Sequence, residues 1–279
     1  MLKELLIGGC KWKTKPGALL LSGGVDSISI GLAAHHAGKT VHAYSFHLDT
    51  HESYDFQKAR EVSEIMGWEF TSIVVPTNNI ESDFKYLAQK GCRKKTHFEC
   101  VFPFLYVYDY ITEKHVLTGW GADGYFGVSK KANMRYGSIK QQENYKRYCI
   151  EHNMKQETFD QFRDNYFLPE NTAGLQAHKL ISDHRGKVLI NPYLDPKVKE
   201  FFYNKTWKEL NKPVQKHHIR NAFDEFKKFG KIKNHQNLHL AAGVDKVFET
   251  LLNNKKINFR NRKRVMDVCK DWSNGILDI

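Results

Sequence analysis

Residues Ser22-Gly23-Gly24-Val25-Asp26-Ser27 constrain this chain more than any other stretch. They follow the apolar run Ala18-Leu19-Leu20-Leu21 and precede an apolar, helix-compatible stretch from Ile28 to His36. A buried strand that ends in glycines and serines and then turns into a helix is suited to hold phosphate. Glycine lets the backbone approach an anion closely and adopt φ values that other residues avoid. The helix start adds unpaired N–H groups and the positive end of the dipole. Ser22 and Ser27 add hydroxyl donors. Asp26 would repel a phosphate unless a divalent cation lies between them, because hard cations take oxygen ligands from both carboxylates and phosphates. The alternative is a glycine-rich turn with no ligand. The hexapeptide itself fits neither Gly-x-x-x-x-Gly-Lys-Ser/Thr nor Gly-x-Gly-x-x-Gly.

The rest of the chain reads as α/β. Strands are expected at Ala18–Leu21, Thr40–Phe46, Trp68–Val75 and His115–Thr118. Between them, helical spacing of apolar residues marks Tyr54–Met66, Asn79–Lys90 and one long helix over Phe98–Ile111 that carries Pro103. Such alternation predicts a parallel sheet wrapped by helices. Beyond about residue 128 the pattern becomes mainly helical. Helices are expected near Lys140–His152, Thr158–Tyr166, Lys197–Trp207, Val214–Phe229, Ala241–Asn253 and Arg262–Trp272. No Gly/Ser linker separates the halves, so residues 1–279 read as one unit, with an α/β core over about 1–128 and a mainly helical part over about 129–279.

Composition narrows the setting. No apolar run is long enough to span a bilayer, and the N-terminal segment lacks signal-peptide character, so no membrane partner is expected. The five cysteines are dispersed, without a C-x-x-C, which predicts reduced thiols and a cytoplasmic setting. Cys92, His97 and Cys100 lack a fourth ligand, so zinc is not expected. Of the net charge of +12, +9 falls from Lys199 onward, where there are 18 Lys or Arg and 9 Asp or Glu. A basic region that includes Lys255, Lys256, Arg260, Arg262, Lys263 and Arg264 fits a nucleotide or nucleic-acid partner; a solvated surface is the plainer alternative.

A second glycine-rich turn follows the fourth strand: Leu117-Thr118-Gly119-Trp120-Gly121-Ala122-Asp123-Gly124-Tyr125-Phe126-Gly127. Asp123 is placed to share a cation with Asp26 at the carboxyl edge of the sheet, where open α/β folds bind ligands. The alternative is that Asp123 caps a short helix.

The hexapeptide resembles the PP-loop of the N-type ATP pyrophosphatases, which cleave ATP between the α- and β-phosphates. The second turn resembles the asparagine synthetase signature SGEGADELFGG. Asn191-Pro192-Tyr193-Leu194-Asp195 resembles that family's R-x-P-F-L-D element, and Lys216-His217-His218-Ile219-Arg220 its K-x-x-L-R segment. The resemblance spans Ser22 to Arg220 and is to the synthetase domain of the asparagine synthetase family. It implies a five-stranded parallel sheet of the adenine-nucleotide α-hydrolase (HUP) type with a helical C-terminal extension. It also implies ATP bound by Leu21, Ser22, Gly23, Gly24, Asp26, Ser27 and Gly119, with adenine near Tyr44, Ser45 and Phe46. Magnesium would be held by Asp26 and Asp123, and Lys216 would contact the departing pyrophosphate. The activity implied is adenylation of a carboxylate for attack by ammonia or an amine.

Two departures qualify the resemblance. The loop begins at residue 22, which leaves no room for a glutaminase domain, so nitrogen is expected from free ammonia, an amine or a separate ammonia-supplying protein. Trp120 stands where the family has a glutamate that aids proton transfer, and an indole is no base. Gly124 replaces a second glutamate. Glu99 and His97 are candidates to supply the base. Trp120 is expected either to stack on an aromatic substrate such as a nucleobase or merely to fill space. Two further readings therefore stand beside the ligase: a PP-loop enzyme that modifies a nucleobase, nucleotide or nucleic acid, and an ATP-binding module with an altered site.

Overall fold

The computed structural model describes all residues except 13–15, 93–94, 169–170, 235, 262, 264–266, 269, 272–273 and 275–279, and leaves four further side chains (96, 97, 173 and 174) undescribed. Five strands form one sheet: β1 (Gly17–Leu20), β2 (Val41–Leu48), β3 (Glu69–Val75), β4 (His115–Leu117) and β5 (Val188–Ile190). Their order is β3-β2-β1-β4-β5, and every neighbouring pair is parallel. The α/β expectation holds, and the fifth strand comes from the mainly helical part.

The apolar run of β1 is explained by burial on both faces. Side chains alternate across a strand. Leu19 and Leu21 enter one core with α1 (Leu2–Gly9), α2 (Val25–His36) and α3 (Tyr54–Met66). Ala18 and Leu20 enter the other with α4 (Ile80–Gln89), α5 (Lys95–Val101) and α6 (Phe104–Tyr110). In that second core the Phe84 and Phe98 rings stack 5.4 Å apart, both fully buried. Burying a phenylalanine of this kind contributes about 1.5–3 kcal/mol.

Where the structure departs from expectation, local chemistry gives the reason. The long helix over Phe98–Ile111 is instead two helices, α5 and α6, with the break at Phe102-Pro103. Proline lacks the N–H a helix interior needs and clashes with the preceding turn. The helix expected over Lys197–Trp207 stops at Phe202, and Thr206 starts another, Trp207–Asn211, through a capping box with Glu209. Val214–Phe229 resolves into a four-residue α-helix, His217–Arg220, and a 3₁₀ turn, Asp224–Lys228. Ala241–Asn253 is likewise two helices, Leu238–Ala241 and Val244–Asn254. The helix expected over Arg262–Trp272 falls largely outside the described residues.

The chain runs from β1 outward through β2 to β3 and then crosses back to β4 on the other side of β1. The carboxyl ends of β1 and β4 therefore flank the switch point of the sheet, the place where such folds open a crevice. Among the described residues no helix is long and apolar enough to cross a membrane.

Candidate active site

The loop after β1 is shaped for close approach. Gly23 has φ +69°, and a Cβ there would lie 2.3 Å from the Asp55 carbonyl oxygen. The loop thus presses on the first turn of α3, which only glycine permits. Helix α2 begins with Gly24 as its cap residue and has no side-chain cap, so its first N–H groups are left for another acceptor. The Ser22 and Ser27 hydroxyls lie 3.0 Å apart, and the Ser27 hydroxyl donates to the Gly24 carbonyl at 3.2 Å.

The second turn meets the first through Gly119. A Cβ on Gly119 would fall 2.7–2.9 Å from the backbone of Asp26 and Ser27. Gly119→Ala is therefore expected to push the end of β4 away from the start of α2, at a cost of about 1–3 kcal/mol. Denaturation curves check the stability loss. If the two turns act together on one ligand, nucleotide binding should fall further than stability does.

Asp123 lies in the first turn of α7 (Ala122–Phe126), where Gly121 rather than Asp123 is the cap residue. This short helix is held by side chains from the C-terminal half. Arg163 Nε donates to the Tyr125 carbonyl at 3.1 Å, Asn211 Nδ2 to the Phe126 carbonyl at 2.7 Å and Trp207 Nε1 to the Gly127 carbonyl at 2.9 Å. The Asn211 side-chain oxygen also accepts the Lys216 backbone N–H at 3.4 Å, so one side chain connects α7 to Lys216.

Lys216 has φ +59°, rare for a residue with a side chain. Its side chain is not solvated: the residue is 4% exposed. Its Nζ donates to Asp26 Oδ2 and to Asp123 Oδ1, each at 2.5 Å. An ammonium ion therefore occupies the gap between the two carboxylates. Burial opposes its charge, but the attraction of Asp123 and Asp26 outweighs burial and holds its pKa above the ordinary lysine value. Burial raises the pKa of Asp26, Lys216 opposes the shift, and the nearby charge of Asp123 adds to it. Asp26 Oδ1 is buried and has no hydrogen-bond partner.

These residues open on one cavity of about 410 Å³, within the size range of small-molecule sites. Leu21, Ser22, Gly23, Gly24, Asp26 and Ser27 line it from the first loop. Tyr44, Ser45 and Phe46 line it from β2; Gly119, Trp120 and Asp123 from the second turn; and Lys216 and Arg220 from the C-terminal half. The structure does not bring Glu99 to this cavity. Its side chain is fully buried, with Lys95 Nζ 2.6 Å from Oε1. The side chain of His97 lies outside the described residues.

Several lining residues carry no motif. Tyr166 takes the space beside Gly124: a Cβ there would lie 2.2 Å from the ring. The glutamate of the family signature is thus replaced by room for an aromatic ring. His178 packs against Trp120 and Phe104, with ring centroids 4.9 and 4.3 Å apart, and its Nε2 is 2.8 Å from the Tyr108 hydroxyl. Asn191 Nδ2 donates to the Trp120 carbonyl at 2.5 Å, and the Tyr193 hydroxyl is 2.8 Å from Ser29 Oγ. The Asn191–Asp195 element therefore braces the second turn and helix α2 from behind. In the basic region, Lys255 pairs with Glu81 at 2.9 Å, while Arg262 and Arg264 lie outside the described residues.

Burial depresses His178 to about 3. Its folded-state pKa lies below its unfolded value of about 6.5, so the unfolded chain takes up the proton first as pH falls. Stability should then drop between about pH 6.5 and pH 3, by about 2 kcal/mol at pH 5 from this group. Urea denaturation at pH 7.5 and pH 5 should show that increment in the native protein and lack it in His178→Phe.

A family model described as Asparagine synthase matches residues 13–223, which covers both turns, α7 and Lys216. No curated protein matches the chain.

Proposed function

Because the chain belongs to the asparagine synthase family, we propose that it is an ATP-dependent ligase that adenylates a substrate carboxylate, releases pyrophosphate and passes the acyl group to ammonia or an amine. An ATP-dependent, ligase-type activity is what the family carries; the adenylation step and the carboxylate are the finer reading. One observation carries it: the buried Lys216 ammonium shared between Asp26 and Asp123 at the mouth of the Ser22–Ser27 loop. Two carboxylates against one ammonium leave net negative charge, and Asp26 Oδ1 is a buried acceptor without a donor. That donor set fits magnesium, with Asp26 and Asp123 as its protein ligands. No group of three or more His, Cys, Asp or Glu able to hold a metal is gathered among the described residues, so phosphate and water oxygens would complete the shell. Bound there, magnesium would supply charge neutralisation and Lewis-acid polarisation of the phosphoryl oxygens.

The chain's own groups account for the rest. The uncapped N–H groups of α2 and the hydroxyls of Ser22 and Ser27 are donors for the β- and γ-phosphates. The Lys216 ammonium is held protonated, and as phosphate charge arrives it moves from between the carboxylates to the phosphate oxygens as a point charge. There it stabilises charge on departing pyrophosphate. Trp120 cannot take a proton and Glu99 does not reach the cavity, so the second half-reaction draws on other groups. The acyl group passes to ammonia or an amine.

A second reading rests on the aromatic wall of Trp120, Phe104 and His178, which suits a planar nucleobase activated at a ring oxygen. A pyrophosphate-release screen across amino acids, other carboxylates, nucleotides and nucleic acids tests both readings, with Asp26→Asn as the inactive control. Release of pyrophosphate and AMP that depends on one carboxylate supports the ligase. Dependence on a nucleotide or nucleic acid supports the second reading. ATP binding with no release under any addition contradicts both and leaves a nucleotide-binding module.

A further inference from the structure

We propose that Cys100 is a nucleophile in the nucleotide cavity, with His239 as its base and Glu99 orienting His239, and that it takes the acyl group from AMP as a thioester before an amine receives it. The acyl-transfer part rests on the ligase reading above. The nucleophile itself rests on geometry. Cys100 lies near the end of α5 and His239 in the helix Leu238–Ala241, 139 residues apart in the chain, yet Cys100 Sγ is 3.5 Å from His239 Nδ1. Both residues line the cavity that holds the Ser22–Ser27 loop, and no other described cysteine does. On the far side of the imidazole, His239 Nε2 is 3.9 Å from Glu99 Oε2. A thiol next to an imidazole whose other nitrogen faces a carboxylate is the arrangement that activates a nucleophile, and these contacts are loose before substrate binds.

The partners of Glu99 sharpen the point. Lys95 takes Oε1, while Oε2 is buried with no hydrogen-bond partner. Asp245 Oδ1 is also buried and unpartnered, and its charge acts on both Glu99 and His239. A buried acceptor without a donor is costly, and an N–H at His239 Nε2, which the neutral Nε2–H tautomer already carries, would satisfy Glu99 Oε2 on closer approach. Glu99 and Asp245 face an imidazole whose pKa is lowered by burial and by the Lys95 ammonium, with Asp245 opposing, so it is neutral at rest and able to accept a proton. They also set the tautomer, with Nε2–H toward Glu99 and bare Nδ1 toward sulfur. Burial keeps the Cys100 thiol protonated at rest, up to about 11, so the thiolate forms by transfer to His239 rather than standing ready. Cys100 and Tyr166 line the same cavity as the carboxylates of Asp26 and Asp123.

The step balances without an oxidant. The thiol proton passes to His239 Nδ1, sulfur bonds to the acyl carbon, and the carbon–oxygen bond to AMP breaks, with AMP leaving with the electron pair. An amine then attacks the thioester. The carbon–nitrogen bond forms, the carbon–sulfur bond breaks, and the amine's proton returns through His239 to the thiolate.

Two experiments on the full chain test this separately. The first is independent of any substrate: the rate at which iodoacetamide labels Cys100, mapped by peptide mass spectrometry across pH. His239→Asn should slow labelling at neutral pH by roughly a hundredfold, and Glu99→Gln should shift the pH profile, with unchanged melting temperatures showing that both variants fold. Equal rates and profiles in native protein and variants would overturn the nucleophile. The second uses Mg-ATP and whichever carboxylate triggers pyrophosphate release. An acid-quenched sample should gain the mass of the acyl group, lose it to neutral hydroxylamine, and show no gain in Cys100→Ser. Cys100→Ala should still release pyrophosphate but stall before amide. Full amide production by Cys100→Ala would overturn the thioester while leaving the ligase intact; no pyrophosphate from native protein would overturn the ligase and the thioester, with labelling still deciding the nucleophile.

Discussion

Lys216→Met lowers the stability of the free protein by about 3–5 kcal/mol and abolishes pyrophosphate release; that is the expected result of removing one partner from a buried ion cluster. Methionine fills much of the lysine volume, so the loss is electrostatic rather than a cavity effect. Asp26 and Asp123 would then face each other without the ammonium that bridges them at 2.5 Å on each side. Guanidinium denaturation at neutral pH measures the loss. Magnesium should restore part of the stability, because a divalent cation can replace the missing charge between the carboxylates, yet it should not restore activity. A stability loss below about 1 kcal/mol would mean that the ion cluster carries little energy.

Asp26→Asn gives the opposite balance. Burial already disfavours the charged form of Asp26, so an isosteric amide should change stability by no more than about 1 kcal/mol. On the proposed function activity should fall at least about a thousandfold, since the change would remove a carboxylate proposed to hold magnesium and the electrostatic stabilisation built on it. The pH dependence carries the same sign. The pKa of Asp26 is raised in the folded state, so the folded protein binds more protons than the unfolded chain above pH about 4, and ionising Asp26 costs stability as pH rises from there. In the asparagine variant that contribution is absent. Denaturation across pH 4–8 and a pyrophosphate assay on the same preparation check both halves. A variant that is both unstable and active would reverse the assignment.

The sequence made part of this legible, for physical reasons. Helix α3 was bounded at both ends, because Ser53 caps its start and Gly67 ends it in the left-handed region. The strand–loop–helix unit at Ser22 was visible because its glycines and serines are adjacent in the chain, as were Asp123 and Lys216 within their own motifs. The strand β5 was hidden: three residues, paired with β4 alone, give no periodic pattern. Helix Ala173–His184 was missed because its buried face includes His178 and Ser182, which read as surface residues. The break at Pro103 is masked by the apolar pattern that runs on through Phe98–Ile111. The meeting of Cys100 with His239 was beyond reach, since no local spacing connects residues brought together by separate helices. Glu99 was singled out for chemistry at the cavity; it faces the back of His239 instead.

The adenylation step itself is tested most directly by isotope exchange between labelled pyrophosphate and ATP. With magnesium and the carboxylate substrate present, label should enter ATP in the absence of any amine, and the exchange should vanish in Asp26→Asn. Formation of ADP and phosphate with no exchange, or exchange that persists in Asp26→Asn, would contradict the account.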